Sequence, residues 1–93
     1  MSLKETYEKK IEAQLHELKA EIDELREKAD RAEINLELEY YTLIDELQLK
    51  LEAANQKFQM LRQASEENWE EFKTEFELVW DSLRELVKSV TSP

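Results

Sequence analysis

The chain contains no glycine and no cysteine, and its single proline is its last residue. Without cysteine there is no disulfide and no thiolate chemistry. Without glycine there is no glycine-rich loop to cradle a phosphate. Only one histidine is present, His16, too little to assemble a serine or cysteine nucleophile with its base, so no catalytic residue is expected and the chain is not read as an enzyme. No apolar run reaches the ~18 residues of a membrane span. The opening Met1-Ser2-Leu3-Lys4 lacks the hydrophobic region of a secretion signal, so a cytoplasmic setting is the expectation. Positive charge is also scarce: 13 Lys and Arg stand against 23 Asp and Glu, a net charge of −10. Phosphate backbones and anionic lipid surfaces are repelled by such a chain on average, so nucleic acid is not an expected partner and a membrane is a weak one.

What remains is helix. Charged residues make up 39% of the 93 positions and hydrophobic residues 41%, the composition of long helices and coiled coils. Ser2-Leu3-Lys4-Glu5 fits a capping box, with a serine hydroxyl for a free backbone N–H and a glutamate to reach back. Lys88 suits the dipole of a last turn, and Thr91-Ser92-Pro93 is expected to end the helix. Glu5–Lys9, Glu24–Lys28, Glu27–Arg31 and Glu46–Lys50 have the i,i+4 order that favours a helix by about 0.2–0.5 kcal/mol each.

An apolar stripe runs the whole length. Its expected oligomer core is Ile11, Leu15, Leu18, Ile22, Leu25, Ala29, Ala32, Leu36, Tyr40, Leu43, Leu47, Leu51, Ala54, Phe58, Leu61, Trp69, Phe72, Phe76, Trp80 and Leu83. From Leu15 to Ala32 the steps alternate three and four, a heptad repeat. From Ala32 the spacing turns to elevens, through residues 43, 54, 65, 76 and 87, which favours straighter packing. The expectation is one all-α domain over residues 1–93, with a heptad part over about 7–32 and an eleven-residue part over about 32–90. It is read as a long, nearly continuous amphipathic helix forming an antiparallel coiled-coil homo-oligomer. Two stretches are weaker, Ala53-Ala54-Asn55-Gln56 and residues 64–68, where Ser65 is a candidate cap for a second helix. A helical hairpin associating into a four-helix bundle is therefore the alternative.

The stripe also suggests an orientation. If residue i faces residue 101−i of a second copy, Ala29 meets Phe72, Ala32 meets Trp69, Leu25 meets Phe76 and Leu43 meets Phe58. Large side chains then lie opposite small ones in several layers, which keeps core volume even. Ile34, Leu38, Tyr41, Ile44 and Leu49 lie beside or opposite the stripe, so the middle of the chain is apolar on more than one side. That excess suggests two dimers meeting at their centres. A homodimer or homotetramer is the expected partner state.

Few residues suggest chemistry. Glu12 precedes His16 by four positions, whereas carboxylate-bridged di-metal bundles use Glu-x-x-His, so a metal is not expected and no cofactor is implied. Glu66, Glu67, Glu70 and Glu71 begin an acidic tract, continued by Glu75 and Glu77 and balanced only by Lys73. A solvated face is its simplest reading; a surface for a basic protein partner is the functional one. The aromatic segment Trp69, Phe72, Phe76, Trp80 reads foremost as core, with a docking helix or a membrane-surface helix as alternatives.

The closing Glu67-Asn68-Trp69-Glu70-Glu71-Phe72-Lys73 and Val79-Trp80-Asp81-Ser82-Leu83, behind a Lys/Glu/Ala/Leu-rich coil, resemble a family of small acidic bacterial coiled-coil proteins of unknown function, some of them described as stress-response proteins. The resemblance implies a structural or interaction role, possible stress involvement and no catalytic residues. The eleven-residue pattern is also similar to that of exchangeable apolipoproteins, which makes reversible binding to a lipid surface the functional alternative.

Overall fold

The computed structural model describes residues 2–91; the expected stop at Ser92-Pro93 lies outside them. All regular structure among these residues is helical: α1 (Leu3–Arg31), α2 (Ile34–Gln63) and α3 (Trp69–Thr91). The expected single long helix is thus replaced by three, with breaks at Ala32-Glu33 and at residues 64–68. The chain divides into two compact units, Met1–Asp45 and Glu46–Pro93, and the division falls within α2.

The two breaks explain how a glycine-free chain turns. Neither uses left-handed backbone, and no described residue has a positive φ. At the first, Ala32 adopts φ −80° and ψ 161°, ordinary extended backbone open to any L-residue. Its N–H donates to the Ala29 carbonyl at 3.2 Å, and the Glu33 carbonyl then accepts from Glu37 N–H at 2.8 Å to open α2. At the second, Ala64 N–H donates to Leu61 at 3.1 Å, closing α2 with the same tight i→i−3 bond. The Ser65 carbonyl accepts from both Asn68 and Trp69, each at 3.1 Å, and α3 starts there. Ser65 thus opens the helix through its main chain. At the front of α1 the serine half of the capping box is present, with Ser2 Oγ accepting from Glu5 N–H at 3.1 Å.

Burial follows the helices. In the first unit Ile11, Leu15, Leu18, Ile22, Leu25 and Ala29 are buried along α1, in strict steps of four and three, and Ile44 is buried on α2. In the second unit the buried residues are Leu47, Ala54, Phe58 and Leu61 on α2, and Trp69, Phe76, Trp80, Leu83 and Val87 on α3. Ala32, Tyr40, Leu43, Leu51 and Phe72 are half-buried, while Leu36 is exposed. On α2 the sequence Ile44, Leu47, Leu51, Ala54, Phe58, Leu61 steps three and four. The eleven-residue spacing expected from Ala32 onward runs instead through the turn containing Ser65, so it is not the repeat of one continuous helix. Ile44 is buried, while Leu36, on the first turn of α2, is exposed.

Within the second unit α2 and α3 form an antiparallel hairpin about Glu66. Lys50 Nζ donates to Ser82 Oγ at 2.8 Å, and Lys57 Nζ lies 3.5 Å from a Glu75 carboxylate oxygen. The Phe58 and Phe76 rings, expected to face Leu43 and Leu25 of a second copy, face each other in the same chain, 5.9 Å apart and tilted by 51°. Trp80 stacks on Phe76 at 5.6 Å. Aromatic pairs at such distances contribute about 0.5–1.5 kcal/mol beyond the area they bury. Phe76 is fully buried, so Phe76→Ala is expected to cost about 3–5 kcal/mol of unfolding free energy by removing both contacts and leaving a cavity. Urea unfolding followed by circular dichroism measures this; a loss under about 1 kcal/mol would contradict the packing described.

Candidate interaction surfaces

The acidic tract is split by the second turn. Glu66 and Glu67 lie in the turn, while Glu70 and Glu71 occupy the first turn of α3, and all four are exposed. Glu66 and Glu70, and Glu67 and Glu71, though four apart in sequence, are therefore not neighbours along one helix. Acid at a helix start is favourable, by about 0.3–1 kcal/mol per residue at the surface, because the free N–H groups carry partial positive charge. Part of the tract thus has a structural reason. Lys73, one turn further on, places its ammonium 5.7 Å from the centre of the Trp69 ring, a cation–π contact that fixes the rim of the acidic surface. Glu75 is engaged by Lys57.

A second kind of surface is apolar. On α2, Ile34 is 76% exposed and Leu38 65% in the first unit; Leu49 is 68% exposed and Met60 45% in the second. Ile34 and Leu38 are four residues apart, Leu49 and Met60 eleven, so each pair shares one side of the helix. Of the five residues read as surplus apolar surface, Ile34, Leu38 and Leu49 are exposed, Ile44 is buried and Tyr41 is half-buried. Met60, and Leu78 on α3, are exposed as well. Sequence reading did not single out these two; Met60 adjoins the stripe residue Leu61, and Leu78 lies between the stripe residues Phe76 and Trp80.

His16 and Glu12 are both exposed on α1. Among the described residues no group of three or more His, Cys, Asp or Glu side chains converges to hold a metal ion. The aromatic residues of α3 are placed in packing, with Trp69, Phe76 and Trp80 buried and Phe72 half-buried. No described helix is long and apolar enough to cross a membrane.

One polar contact ties the first turn together. The Tyr41 hydroxyl donates to the Asp30 carboxylate across the Ala32-Glu33 connection. That hydrogen bond to Asp30 raises the phenol pKa, with lesser contributions from burial and from the negative charges of Asp30 and Glu37; Arg26 opposes the shift.

No protein-family model matches the chain, and neither the curated proteins nor the solved structures give a significant match.

The Tyr41 contact has a pH signature. Its pKa is raised on folding, so the unfolded chain loses the phenolic proton first as pH climbs above the ordinary value of 10.0. The stabilisation is complete below that pH and is lost as pH rises through the folded value. Absorbance titration is expected to show late ionisation of the Tyr41 phenol, a component absent from Tyr41→Phe. A difference between the two titrations that falls at the ordinary phenol value of 10.0 would remove the contact from the account.

Proposed function

We propose that the chain is a structural or interaction protein without catalytic activity, working through its helix surfaces. In this reading it associates with copies of itself, as a homodimer or homotetramer, and presents the acidic surface of Glu66, Glu67, Glu70 and Glu71 to a basic protein partner. The observation that carries the reading is the exposed apolar side of α2. Large aliphatic side chains left in water gain free energy when another helix covers them, at roughly 25 cal/mol per Å², and contiguous apolar surface commonly marks a site of association. The charged remainder of the surface supports solubility between encounters. A bacterial stress response in the cytoplasm is the setting that the resemblance of the Trp69 and Trp80 segments suggests, and it belongs to the proposal.

Lipid binding is the competing reading, since exposed leucines on an amphipathic helix also suit a membrane surface. The acidic balance favours protein over lipid: interfacial helices gain from Lys and Arg on their polar side, and α3 carries Glu70, Glu71, Glu75, Glu77, Asp81 and Glu85 there.

Two measurements separate these readings. Vesicle flotation with zwitterionic and anionic lipids is expected to leave the protein in the soluble fraction with unchanged helicity; co-flotation with a gain in helicity would favour the lipid reading. Affinity capture at low salt is expected to retain a basic protein that is released by Glu66→Gln, Glu67→Gln, Glu70→Gln and Glu71→Gln combined. Capture indifferent to these four substitutions and to salt would remove the acidic surface from the proposal.

A further inference from the structure

Polar and apolar residues alternate strictly in Glu33-Ile34-Asn35-Leu36-Glu37-Leu38-Glu39-Tyr40. A period of two is the pattern of a strand with one apolar side, and it does not suit a helix. The structure shows the conflict. The aliphatic residues of this segment are spread around α2, with Ile34 76% exposed, Leu36 50% and Leu38 65%. From Glu33 to Glu39 no side chain is buried, and the one that is half-buried is the acid Glu37. Extended, the same residues place Ile34, Leu36, Leu38 and Tyr40 on one side and Glu33, Asn35, Glu37 and Glu39 on the other.

The first two turns of α2 are accordingly held by little besides their backbone bonds. Glu37 N–H donates to the Glu33 carbonyl at 2.8 Å. The Thr42 hydroxyl donates to the Leu38 carbonyl at 2.9 Å, a back-bond that slightly weakens a helix. Ala32, immediately before the segment, is already extended. Just beyond it, Tyr41 donates to Asp30 and Ile44 is buried. The stretch free to leave the helix is thus short, with an extended residue at one end and anchored residues at the other. Segments with few buried contacts open at the lowest free energy in a fold.

We infer that residues 33–40 leave α2 to add, as a strand, to the open sheet edge of a basic protein. Strand addition takes its affinity from main-chain hydrogen bonds and its specificity from alternate side chains. The aliphatic residues that α2 leaves in water are then covered together on one side. Charge decides against a second copy as the occupant. Residues directly opposite in a strand pair share a side, so Glu33, Glu37 and Glu39 of one copy meet only one another or Asn35 within the segment. Like charges placed so destabilise the pair, and the segment contains no base. An edge that alternates Lys or Arg with aliphatic residues answers both of its sides. The inference rests on the reading of the chain as an interaction protein with a basic partner, and it names a surface other than the acids of the second turn.

The test uses the full chain, isotopically labelled for nuclear magnetic resonance, and two synthetic peptides of one composition. One alternates lysine with valine; the other groups the same residues in pairs. The alternating peptide is expected to move residues 33–40 saturably from helical to extended carbon shifts, while helical values persist from Ile44 onward. The paired peptide is expected to leave them helical. Leu36→Gln combined with Leu38→Gln is expected to keep the free protein helical, since both side chains are exposed. The pair is also expected to weaken the response about tenfold or more, because two aliphatic side chains no longer become buried. Leu49→Gln, at an equally exposed position outside the segment, is expected to leave the response unchanged. Equal responses to the two peptides, an equal loss in Leu49→Gln, or binding with residues 33–40 still helical would each overturn strand addition. A charge-driven encounter with basic proteins would survive those results. Binding of neither peptide would overturn the inference, and the acidic surface at Glu66 would then be judged by its own capture experiment.

Discussion

A helix with one apolar stripe cannot bury it against itself. Everything in this chain follows from that constraint and from how little turn chemistry it has available. With no glycine and no internal proline, the stripe suggests a single rod whose partner must be another copy. The chain instead interrupts itself twice with residues that look helical. Ala32 turns in extended backbone, a region every L-residue can occupy. Ser65 opens α3 with its carbonyl, for which any residue type would serve. Turn signals based on glycine and proline report left-handed or rigid backbone, and these two turns use neither.

The same point decides how much was legible in the residues. The all-helical class, the capping serine at residue 2 and the buried steps of α1 from Ile11 to Ala29 are local properties, and periodicity is enough to read them. The second break was legible as a weak stretch at residues 64–68; its companion, residues 53–56, is uninterrupted helix, because alanine and glutamine favour helix once packing supports them. The break at Ala32-Glu33 was visible only indirectly. It falls where the heptad steps stop, a change of phase that reads equally well as a new repeat. Reading across a turn as though it were helix converts two or five connecting residues into a shifted periodicity. Leu36 was assigned to the core and Ile44 to its shoulder; in the structure Ile44 is buried and Leu36, on the first turn of α2, is exposed.

Pairing large residues with small ones about the middle of the sequence suggested a partner chain. In the second unit the aromatic residues meet one another, Phe58 with Phe76 and Phe76 with Trp80, across a hairpin centred on Glu66. The polar contacts Lys50–Ser82 and Lys57–Glu75 hold the same register. With aromatic burial satisfied within the second unit, Leu49 and Met60 on α2 and Leu78 on α3 remain exposed there. An acidic, glycine-free helical chain thereby becomes more than a stripe in search of a partner. In the second unit the inward side of α2 closes on α3, and Leu49 and Met60 are left exposed. The acids around the start of α3 are exposed, and Glu70 and Glu71 in its first turn suit the helix terminus.

The claim on which the account depends is that the chain turns twice. Backbone carbon chemical shifts from nuclear magnetic resonance of the labelled full-length protein test it most directly. Helical shifts across α1, α2 and α3 are expected, with extended values at Ala32 and departures from helix at residues 64–68. Unbroken helical shifts through both stretches would contradict the three-helix fold and return the chain to a single long helix.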